Sequence, residues 1–263
     1  MVQNGAPTTC TITVTKAATS NYEAATDTRQ ITVYRDYFTL IPRNSGTSTI
    51  IFSPGTNTSL SYSTNYGSTW TTFSGSVSAQ QGTKVLFKGI NYNITNDGLG
   101  RFELTDAFDV QGNIMSIVDG DDYYAWDEPE TLDYAFYYLF YDCNIVNARK
   151  LKLSAQILGS FCYSYMFNNC TSLVSAPASL PATTLSKGCY LSMFKGCSSL
   201  TQTPTISATT LAYRCCDSMF SDCTSLVTAP TLSATTLAES CYHCMFMDCT
   251  SLTTVSNLPA TTM

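Results

Sequence analysis

The chain contains 263 residues with a net charge of −6, and 12% of its residues are charged whereas 44% are hydrophobic. An acidic chain of this kind is a poor candidate for binding nucleic acid. No apolar run reaches the roughly 18 residues that a membrane-spanning helix needs, so we expect no membrane insertion. The amino terminus from Met1 to Gly5 has no basic residue and leads to no apolar run, so it predicts no signal peptide.

Residues 9–105 have the pattern of an all-β region. Clusters of Gly, Asn, Pro and Ser separate segments that alternate or are rich in β-branched and aromatic residues. Together these segments indicate a β-sandwich-like anchoring domain in residues 1–95, which is long enough to bury its own core. We predict strands at residues 9–16, 30–35, 48–53 and 84–88.

A short segment at residues 63–70 reads Ser-Thr-Asn-Tyr-Gly-Ser-Thr-Trp. It resembles the Asp-box of sialidase-like propellers, with Asn65 at the position of the aspartate. A single copy is present, and the arginine triad and the paired Tyr and Glu of sialidases are not identifiable. We therefore predict one hairpin turn with Trp70 packed beneath it.

The charges are distributed unevenly along the chain. Residues 1–95 carry a net charge of +3, residues 96–150 carry −9, and residues 151–263 are neutral. We interpret residues 96–135 as an acidic joint that also caps the amino-terminal end of the repeats that follow, because a repeat array needs a polar cap for solubility. The first strand of this cap is predicted at residues 112–117.

Carboxylates cluster within the joint at Asp119, Asp121 and Asp122 and again at residues 127–130. Clustered carboxylates suit a hard cation, but their spacing here does not match that of an EF-hand loop. We therefore expect a solvated cap, with a calcium site as the alternative.

The second half of the chain, residues 136–263, contains a repeat of the form Met-Phe-x-x-Cys-x-Ser-Leu. Four copies begin at Met166, Met193, Met219 and Met245, at intervals of 27, 26 and 26 residues. A degenerate copy of the motif precedes them. A fixed period in this range predicts a solenoid in which each repeat stacks on the next. We expect about five repeats of 26–27 residues.

Two kinds of local structure are predicted to alternate within each repeat. Residues 172–178 and 225–232 are rich in Ser, Thr and Val with some alternation, so we predict short strands there. The stretch Leu-x-x-x-Cys-Tyr-x-x-Met-Phe has apolar residues at roughly helical spacing, so we predict a short helix or 3₁₀ turn. A strand followed by a helical turn in every repeat is the plan of leucine-rich repeats.

The repeat resembles one branch of that class, the BspA-like leucine-rich repeats of bacterial surface proteins. Their units carry an aromatic residue, two variable residues and then Cys-x-x-Leu, as Phe194, Cys197 and Leu200 do here. The expected fold is therefore mainly β with short helical turns: an N-terminal β-sandwich-like domain followed by a leucine-rich-repeat solenoid. The resemblance also implies adhesion to host or matrix components, and similar repeats occur in phage and protist surface proteins.

Twelve cysteines occur in the chain, and eight of them recur at two fixed positions of the repeat. A residue that recurs at one phase faces the same way in every repeat, so we interpret these two columns as buried free thiols. The spacing of adjacent strands also permits disulfides, and bridged columns stay open as the alternative. Cys241 and Cys244 enclose the single histidine, His243, but lack the second pair that a zinc site needs, so we expect no metal.

The residue inventory argues against catalysis. A single histidine leaves little for a nucleophile, a base and an orienting group, and the chain has no phosphate-binding loop or dinucleotide fingerprint. We therefore expect a non-enzymatic protein without a cofactor. Largely unpaired thiols and the lack of a signal peptide suit assembly in a reducing cytosol.

These features favour an exterior component of a bacteriophage virion (a fibre, decoration or tail-associated protein) that is anchored by its β domain and displays the repeats for attachment. Its partners would be other virion proteins, or a glycan or protein on a host surface. The alternative is a secreted bacterial cell-surface adhesin of BspA type. Because the sequence stops at Met263 within a repeat, we expect either further chain or a neighbouring subunit of a homo-oligomer over this end.

The predicted strand segments supply the predicted contact surface, which is small, hydroxylated and uncharged. Such a surface favours recognition by shape and hydrogen bonds over a broad area. The predicted ligand-contacting residues are Val174, Ser175, Thr201, Gln202, Thr203, Val227, Thr228, Thr253 and Thr254.

Overall fold

The computed structural model describes residues 8–16, 25–33, 35–92, 96–123, 131–255, 258–260 and 262. Over these residues the protein is mainly β, with thirteen strands, one four-residue helix and no helical bundle. No helix in the described ranges has the length and apolar character needed to cross a membrane. The elements are β1 Thr8–Lys16, β2 Ala25–Val33, β3 Phe38–Pro42, β4 Thr47–Pro54, β5 Ser61–Ser63, β6 Thr71–Thr72, β7 Ser76–Gln80, β8 Val85–Lys88, β9 Gly100–Glu103, β10 Phe108–Asn113, α1 Ser116–Asp119, β11 Ile145–Lys152, β12 Ser179–Leu180 and β13 Thr205–Ile206.

The strands before the repeats form two main sheets. The larger has the order β11-β10-β3-β8-β5-β6, in which β10 and β11 are parallel and the other neighbours are antiparallel. The smaller has the order β7-β4-β9, and β1 forms an antiparallel pair with β2. Three of the four strands predicted in this region are confirmed, as β1, β4 and β8. The fourth, predicted at residues 30–35, corresponds to β2, which begins earlier at Ala25 and ends at Val33.

Aromatic rings join the faces of the two main sheets. Along β4, Ile50 and Phe52 are buried while their neighbours are exposed, so one face of the strand points inward. The Phe52 ring centroid lies 4.8 Å from that of Phe102 on β9, and Phe102 lies 5.7 Å from Phe38 on β3. These rings bury a large apolar area between the sheets.

The larger sheet extends beyond the predicted end of the first domain. β10 and β11 follow residue 95 in the chain, yet β10 pairs with β3 and continues the sheet. The buried core likewise runs from Tyr37 to Cys249 as one cluster. The boundaries at residues 95 and 135 stay predictions about folding units, and the sheet and the core are continuous across them.

The hairpin predicted at residues 63–70 is confirmed. These residues connect β5 and β6, which pair antiparallel. Within the turn, Asn65 Oδ1 accepts a hydrogen bond from the Thr69 N–H at 3.0 Å. Trp70 packs edge-on against Tyr37, with ring centroids 4.8 Å apart.

The strand predicted at residues 112–117 is wrong beyond Asn113, where β10 ends. Helix α1 begins at Ser116, whose hydroxyl donates to the Phe87 carbonyl at 2.9 Å and accepts from the Phe38 N–H at 3.0 Å. These two buried hydrogen bonds draw α1 against β3 and β8, so the chain turns instead of continuing along β10.

In residues 131–255 each repeat is hydrogen-bonded to the next through alternate residues. The N–H groups of Phe161, Tyr163 and Tyr165 donate to carbonyls of the following repeat at 2.9 to 3.0 Å. Between them, the Ser164 N–H donates to the Phe161 carbonyl at 3.2 Å and closes a turn. Buried backbone groups thus find partners either one repeat away or three residues back.

The helix or 3₁₀ turn predicted for this stretch is wrong. Phe161, Tyr165 and Asn169 have φ values of +56°, +56° and +61°, so every fourth residue adopts the left-handed conformation. A right-handed helix needs negative φ at each residue, and a chain with this pattern forms consecutive turns. A period of four residues is close to the helical period of 3.6, which is why the apolar spacing resembled a helix.

The strands predicted at residues 172–178 and 225–232 are also wrong, because in each segment one residue forms an isolated parallel bridge. Proline follows the bridging residue two positions later, at Pro177 and Pro230. Since proline has no N–H to donate, the pairing stops there. Among the described residues, the longest pairing between repeats is that of β12 with β13, two residues on each side.

A ladder of phenylalanine rings runs through the repeats and begins in the amino-terminal sheets. Successive ring centroids are 5.3 to 5.8 Å apart, and their planes are within 26° of parallel. Because its first ring is on β9, the ladder connects the core of the sheets to the core of the repeats. Its members are Phe102, Phe140, Phe167, Phe194, Phe220 and Phe246.

One column of cysteines donates hydrogen bonds to the backbone carbonyls of the phenylalanines in this ladder. The Cys197 Sγ lies 3.1 Å from the Phe167 carbonyl oxygen, and Cys143 makes the same contact with Phe102 at 3.0 Å. The eleven cysteines from Cys143 to Cys249 are free, and ten of them are buried. Burial raises the pKa of the Cys143 and Cys162 thiols to about 12, so both stay protonated at neutral pH.

We expect Phe194→Ala to lower the free energy of unfolding by about 3–5 kcal/mol, the range typical of removing a buried phenylalanine ring. The ring is fully buried and stacks between Phe167 and Phe220. The matched control is Phe246→Ala, at the half-buried last ring of the ladder, for which we expect a smaller loss. Urea denaturation measures the free energy of unfolding of both variants. Equal losses of stability would show that the stacked, fully buried position of Phe194 contributes no more than the end position of Phe246, and would contradict a continuous ladder.

We expect the protein to lose stability as the pH rises above about 8.5, the pKa of a thiol in an unfolded chain. Most of the buried thiols, Cys197 among them, have raised pKa values because of burial, whereas the hydrogen bond with Cys216 lowers the pKa of Cys215. For the thiols with raised pKa values, only the unfolded state releases protons between about pH 8.5 and 9.5 and is favoured. The urea midpoint under reducing conditions should fall over this interval, and Cys197→Ala should make the fall less steep. A midpoint that stays constant would count against neutral buried thiols.

Candidate ligand-binding surface

The structure places predicted contact residues of adjacent repeats side by side. Parallel bridges place Ser175 beside Gln202 and Thr228 beside Thr254. Seven of the nine predicted residues are exposed, whereas Thr203 is half-buried and Ser175 is buried. We call the exposed set the strand ridge; it consists of Val174, Thr201, Gln202, Val227, Thr228, Thr253 and Thr254.

Hydrogen bonds between repeats hold the strand ridge in register. The N–H of Thr201 donates to the Val174 carbonyl at 3.0 Å, and the N–H of Thr253 donates to the Val227 carbonyl at the same distance. Ser175, although buried, donates its hydroxyl to Gln202 Oε1 at 3.1 Å and orients that amide. The side chains of the ridge are therefore held at a fixed spacing, because the backbone N–H groups of Thr201 and Thr253 already have hydrogen-bond partners in the preceding repeat.

The ridge itself carries no charged side chain, and its apolar members are solvent-exposed. Val174 is 40% and Val227 is 49% accessible. The Thr201 hydroxyl donates to the Val174 carbonyl at 3.3 Å, which leaves its oxygen lone pairs and its methyl group facing outward. A surface of this composition offers shape, hydrogen-bond acceptors and small apolar contacts.

A groove of about 760 Å³ lies beside the ridge and is lined by four cationic residues. We call it the basic groove, and its cationic residues are Lys84, Arg149, Lys150 and Lys152. The lining also includes the carboxylate of Asp36, Ser179 of β12 and Pro181. Arg149 Nη1 donates to the Thr203 carbonyl at 3.4 Å, so the groove and the strand ridge adjoin.

Most of the positive charge in the groove is not neutralised. Lys152 Nζ pairs with Asp36 Oδ2 at 2.6 Å, and both side chains are about half exposed to solvent. Neither Lys84 nor Lys150 has a carboxylate partner within the part of the chain that the structure describes. Together with Arg149 they form a cationic patch on a chain whose net charge is −6, and such a patch attracts anionic groups.

Sequence reasoning missed the basic groove because its residues come from distant segments. Lys84 directly precedes β8, and Arg149, Lys150 and Lys152 belong to β11. The sheet order β11-β10-β3-β8 brings the two strands to the same sheet. Arg-Lys-x-Lys at residues 149–152 was the available signal, but it straddles the end of a segment with a net charge of −9.

Within the acidic joint, the Asp121 carboxylate contacts a lysine and a tyrosine side chain. Asp121 accepts hydrogen bonds from the Lys88 ammonium at 2.7 Å and from the Tyr37 hydroxyl at 2.5 Å. Burial acts to raise the pKa of Asp121, but these hydrogen bonds outweigh burial and keep it below its usual value. No group of three potential metal ligands occurs among the described residues, and the acidic residues 127–130 lie outside them.

Comparison with protein-family models, with curated proteins and with solved structures finds no significant similarity. The function is therefore argued from the strand ridge, the basic groove and the contacts between repeats.

We expect the double variant Lys84→Glu with Lys150→Glu to bind heparin, used as a polyanionic probe, about tenfold more weakly at low ionic strength. The substitutions reverse the charges of two groove lysines. The difference in heparin binding between the variant and the unmodified protein should therefore shrink in about 1 M salt, where the Debye length is about 3 Å. Lys187→Glu with Lys195→Glu is the matched control, because it makes the same charge change outside the groove. Equal loss of binding in both double variants would show that net charge alone is responsible.

Proposed function

We propose that this chain is a non-enzymatic binding and display protein whose residues 136–263 form a BspA-like leucine-rich-repeat solenoid. The hydrogen bonds from one repeat to the next, at a separation of 24 to 27 residues, support this architecture. So does the aligned phenylalanine ladder, in which each ring stacks on the ring one repeat away. Solenoids of this kind present extended surfaces for binding.

The ligand contacts the strand ridge, and this assignment rests on one observation: the ridge is exposed, uncharged and regularly spaced over four repeats. Its regular threonine hydroxyls suit an extended ligand with repeated hydroxyl or amide groups, such as a glycan or a protein segment. The adjoining basic groove favours a ligand that also carries carboxylate, sulfate or phosphate groups.

The chain belongs on the exterior of a bacteriophage virion, as a fibre, decoration or tail-associated protein. In this proposal residues 1–95 attach it to other virion proteins and the repeats face the host surface. Buried, protonated thiols support assembly under reducing conditions, since oxidised columns would lose the thiol donors to the phenylalanine carbonyls. A secreted bacterial adhesin of BspA type is the second candidate, because the repeat spacing suits it equally.

We expect the triple variant Thr201→Asp, Thr228→Asp and Thr254→Asp to fold normally and to lose ligand binding about tenfold or more. All three side chains are exposed, so the substitutions leave the core intact, but they place three carboxylates where a ligand must shed water. Binding is measured on a glycan array and on intact bacterial cells, with a thermal unfolding curve for each variant.

The matched control replaces the same three threonines with serine, which keeps the hydroxyls and removes only methyl groups. We expect the serine variant to retain binding within about threefold, the effect of losing small apolar contacts. Unchanged binding by the aspartate variant would rule out the strand ridge as the contact surface. Loss of binding by the groove variant alone would instead place the ligand in the basic groove.

A further inference from the structure

A buried carboxylate lies in the turns of the repeats, and it belongs to neither the strand ridge nor the basic groove. The side chain of Asp217 is 3% exposed. Its Oδ2 accepts a hydrogen bond from Arg214 Nε at 2.8 Å, and its Oδ1 accepts one from the Ser218 hydroxyl at 2.8 Å. Burial acts to raise the pKa of Asp217, but the hydrogen bonds it accepts hold the pKa below its usual value, so the carboxylate is charged at neutral pH.

Stacking of consecutive repeats brings the single histidine of the chain to this carboxylate. His243 occupies the position of Asp217 one repeat later, and its Nδ1 lies 3.4 Å from Asp217 Oδ1. The other ring nitrogen, Nε2, lies 3.5 Å from the Sγ of Cys244. The three side chains thus form a line of carboxylate, imidazole and thiol, the order in which an orienting group, a base and a nucleophile act.

Cys244 differs from the other cysteines in accessibility. Among the eleven cysteines from Cys143 to Cys249, it is the one thiol that is partly exposed. Burial raises the pKa of column thiols such as Cys189 and Cys197 far above the usual value, which keeps them protonated. The hydrogen bond with Cys216 lowers the pKa of Cys215, but that side chain is fully buried. Cys216, the other cysteine outside the two columns, is fully buried. An incoming reagent therefore meets Cys244 first.

We propose that Cys244 is a covalent modification site that undergoes thiol–disulfide exchange with small disulfides, with His243 as the base and Asp217 as the positioning residue. The imidazole Nε2 takes the thiol proton as the sulfur attacks one sulfur of the disulfide. A new sulfur–sulfur bond forms at Cys244, and the disulfide's own bond breaks. The departing thiolate takes the proton from His243 and leaves as a thiol, so Cys244 is oxidised and the disulfide is reduced.

The site is separate from the structural thiols, so modification leaves the fold intact. Cys244 has φ = +48°, at the left-handed position that Ser192 and Ser218 occupy in earlier repeats. Its Sγ contacts His243 rather than a phenylalanine carbonyl. A group attached here projects from the turn side, and the ladder of buried cysteines and phenylalanines is not disturbed. This inference does not depend on the proposed ligand or on the virion assignment.

The test uses the disulfide 5,5′-dithiobis(2-nitrobenzoate), which releases one coloured thiolate for each thiol modified. The parent protein carries Cys10→Ser so that the remaining thiols are those of the repeats. At pH 7 we expect one rapid equivalent from the folded protein, mapped to Cys244 by peptide mass spectrometry and lost in Cys244→Ser. No rapid equivalent, or a rapid equivalent at another cysteine, would overturn the proposal.

The role of the imidazole is tested with His243→Gln, a substitution at an exposed side chain. We expect the rapid phase to slow at least about tenfold, because a positioned base contributes that much or more to a proton transfer. In urea, where the three side chains are no longer aligned, the variant and the parent should react at equal rates. Equal rates in the folded state would show that His243 does not act as the base.

The role of Asp217 is tested by Asp217→Asn, which we expect to slow the rapid phase, and by Asp217→Glu, which should restore part of the rate. Partial restoration distinguishes orientation of His243 by a carboxylate from a purely structural role. If both variants slow the reaction equally and lower the urea midpoint equally, Asp217 acts through stability alone, and its assignment as the positioning residue fails.

Discussion

The backbone hydrogen bonds between consecutive repeats are the constraint on which the rest of this structure depends. In the turns of residues 159–169, alternate N–H groups point along the stack and reach carbonyls of the next repeat, as the N–H of Tyr163 reaches the carbonyl of Cys189. An unpaired N–H in this buried position would be costly, so the chain must return to the same phase after 26 or 27 residues. Columns of identical side chains follow: phenylalanine rings stack, and cysteine thiols bond the carbonyls of the preceding repeat.

The same constraint creates the surfaces on which function is proposed. Side chains one repeat apart become neighbours, so single exposed residues such as Val174 and Thr201 combine into a ridge. In the turns of the repeats, Asp217 and His243 become neighbours in the same way. Where the stack meets the amino-terminal sheets, β11 belongs to the larger sheet and also pairs through Asn147 with Ser175 of the first full repeat. The basic groove lies at this junction.

Sequence patterns predicted much of the architecture because burial acts at each position separately. Alternation identified β4, and recurrence identified the two cysteine columns as interior. The local backbone was predicted less well. Turns that place every fourth residue at positive φ resemble a helix in apolar spacing, and prolines such as Pro177 restrict the predicted strands to single bridges. Both errors arise because a one-dimensional pattern reports which side of the chain is buried and not which dihedral angles bury it.

By itself, the sequence determined the period of the repeats, the residues that face the interior and the composition of the strand ridge, since each depends on residues a fixed number of positions apart. Tertiary structure alone decided two arrangements. The basic groove requires β8 and β11 to share a sheet, which joins Lys84 to Lys150 across distant chain segments. The line of Asp217, His243 and Cys244 requires adjacent repeats to stack with a side-chain separation of a few ångströms. Spacing along a chain predicts that two residues share a face, but only packing sets the distance and direction on which their chemistry depends.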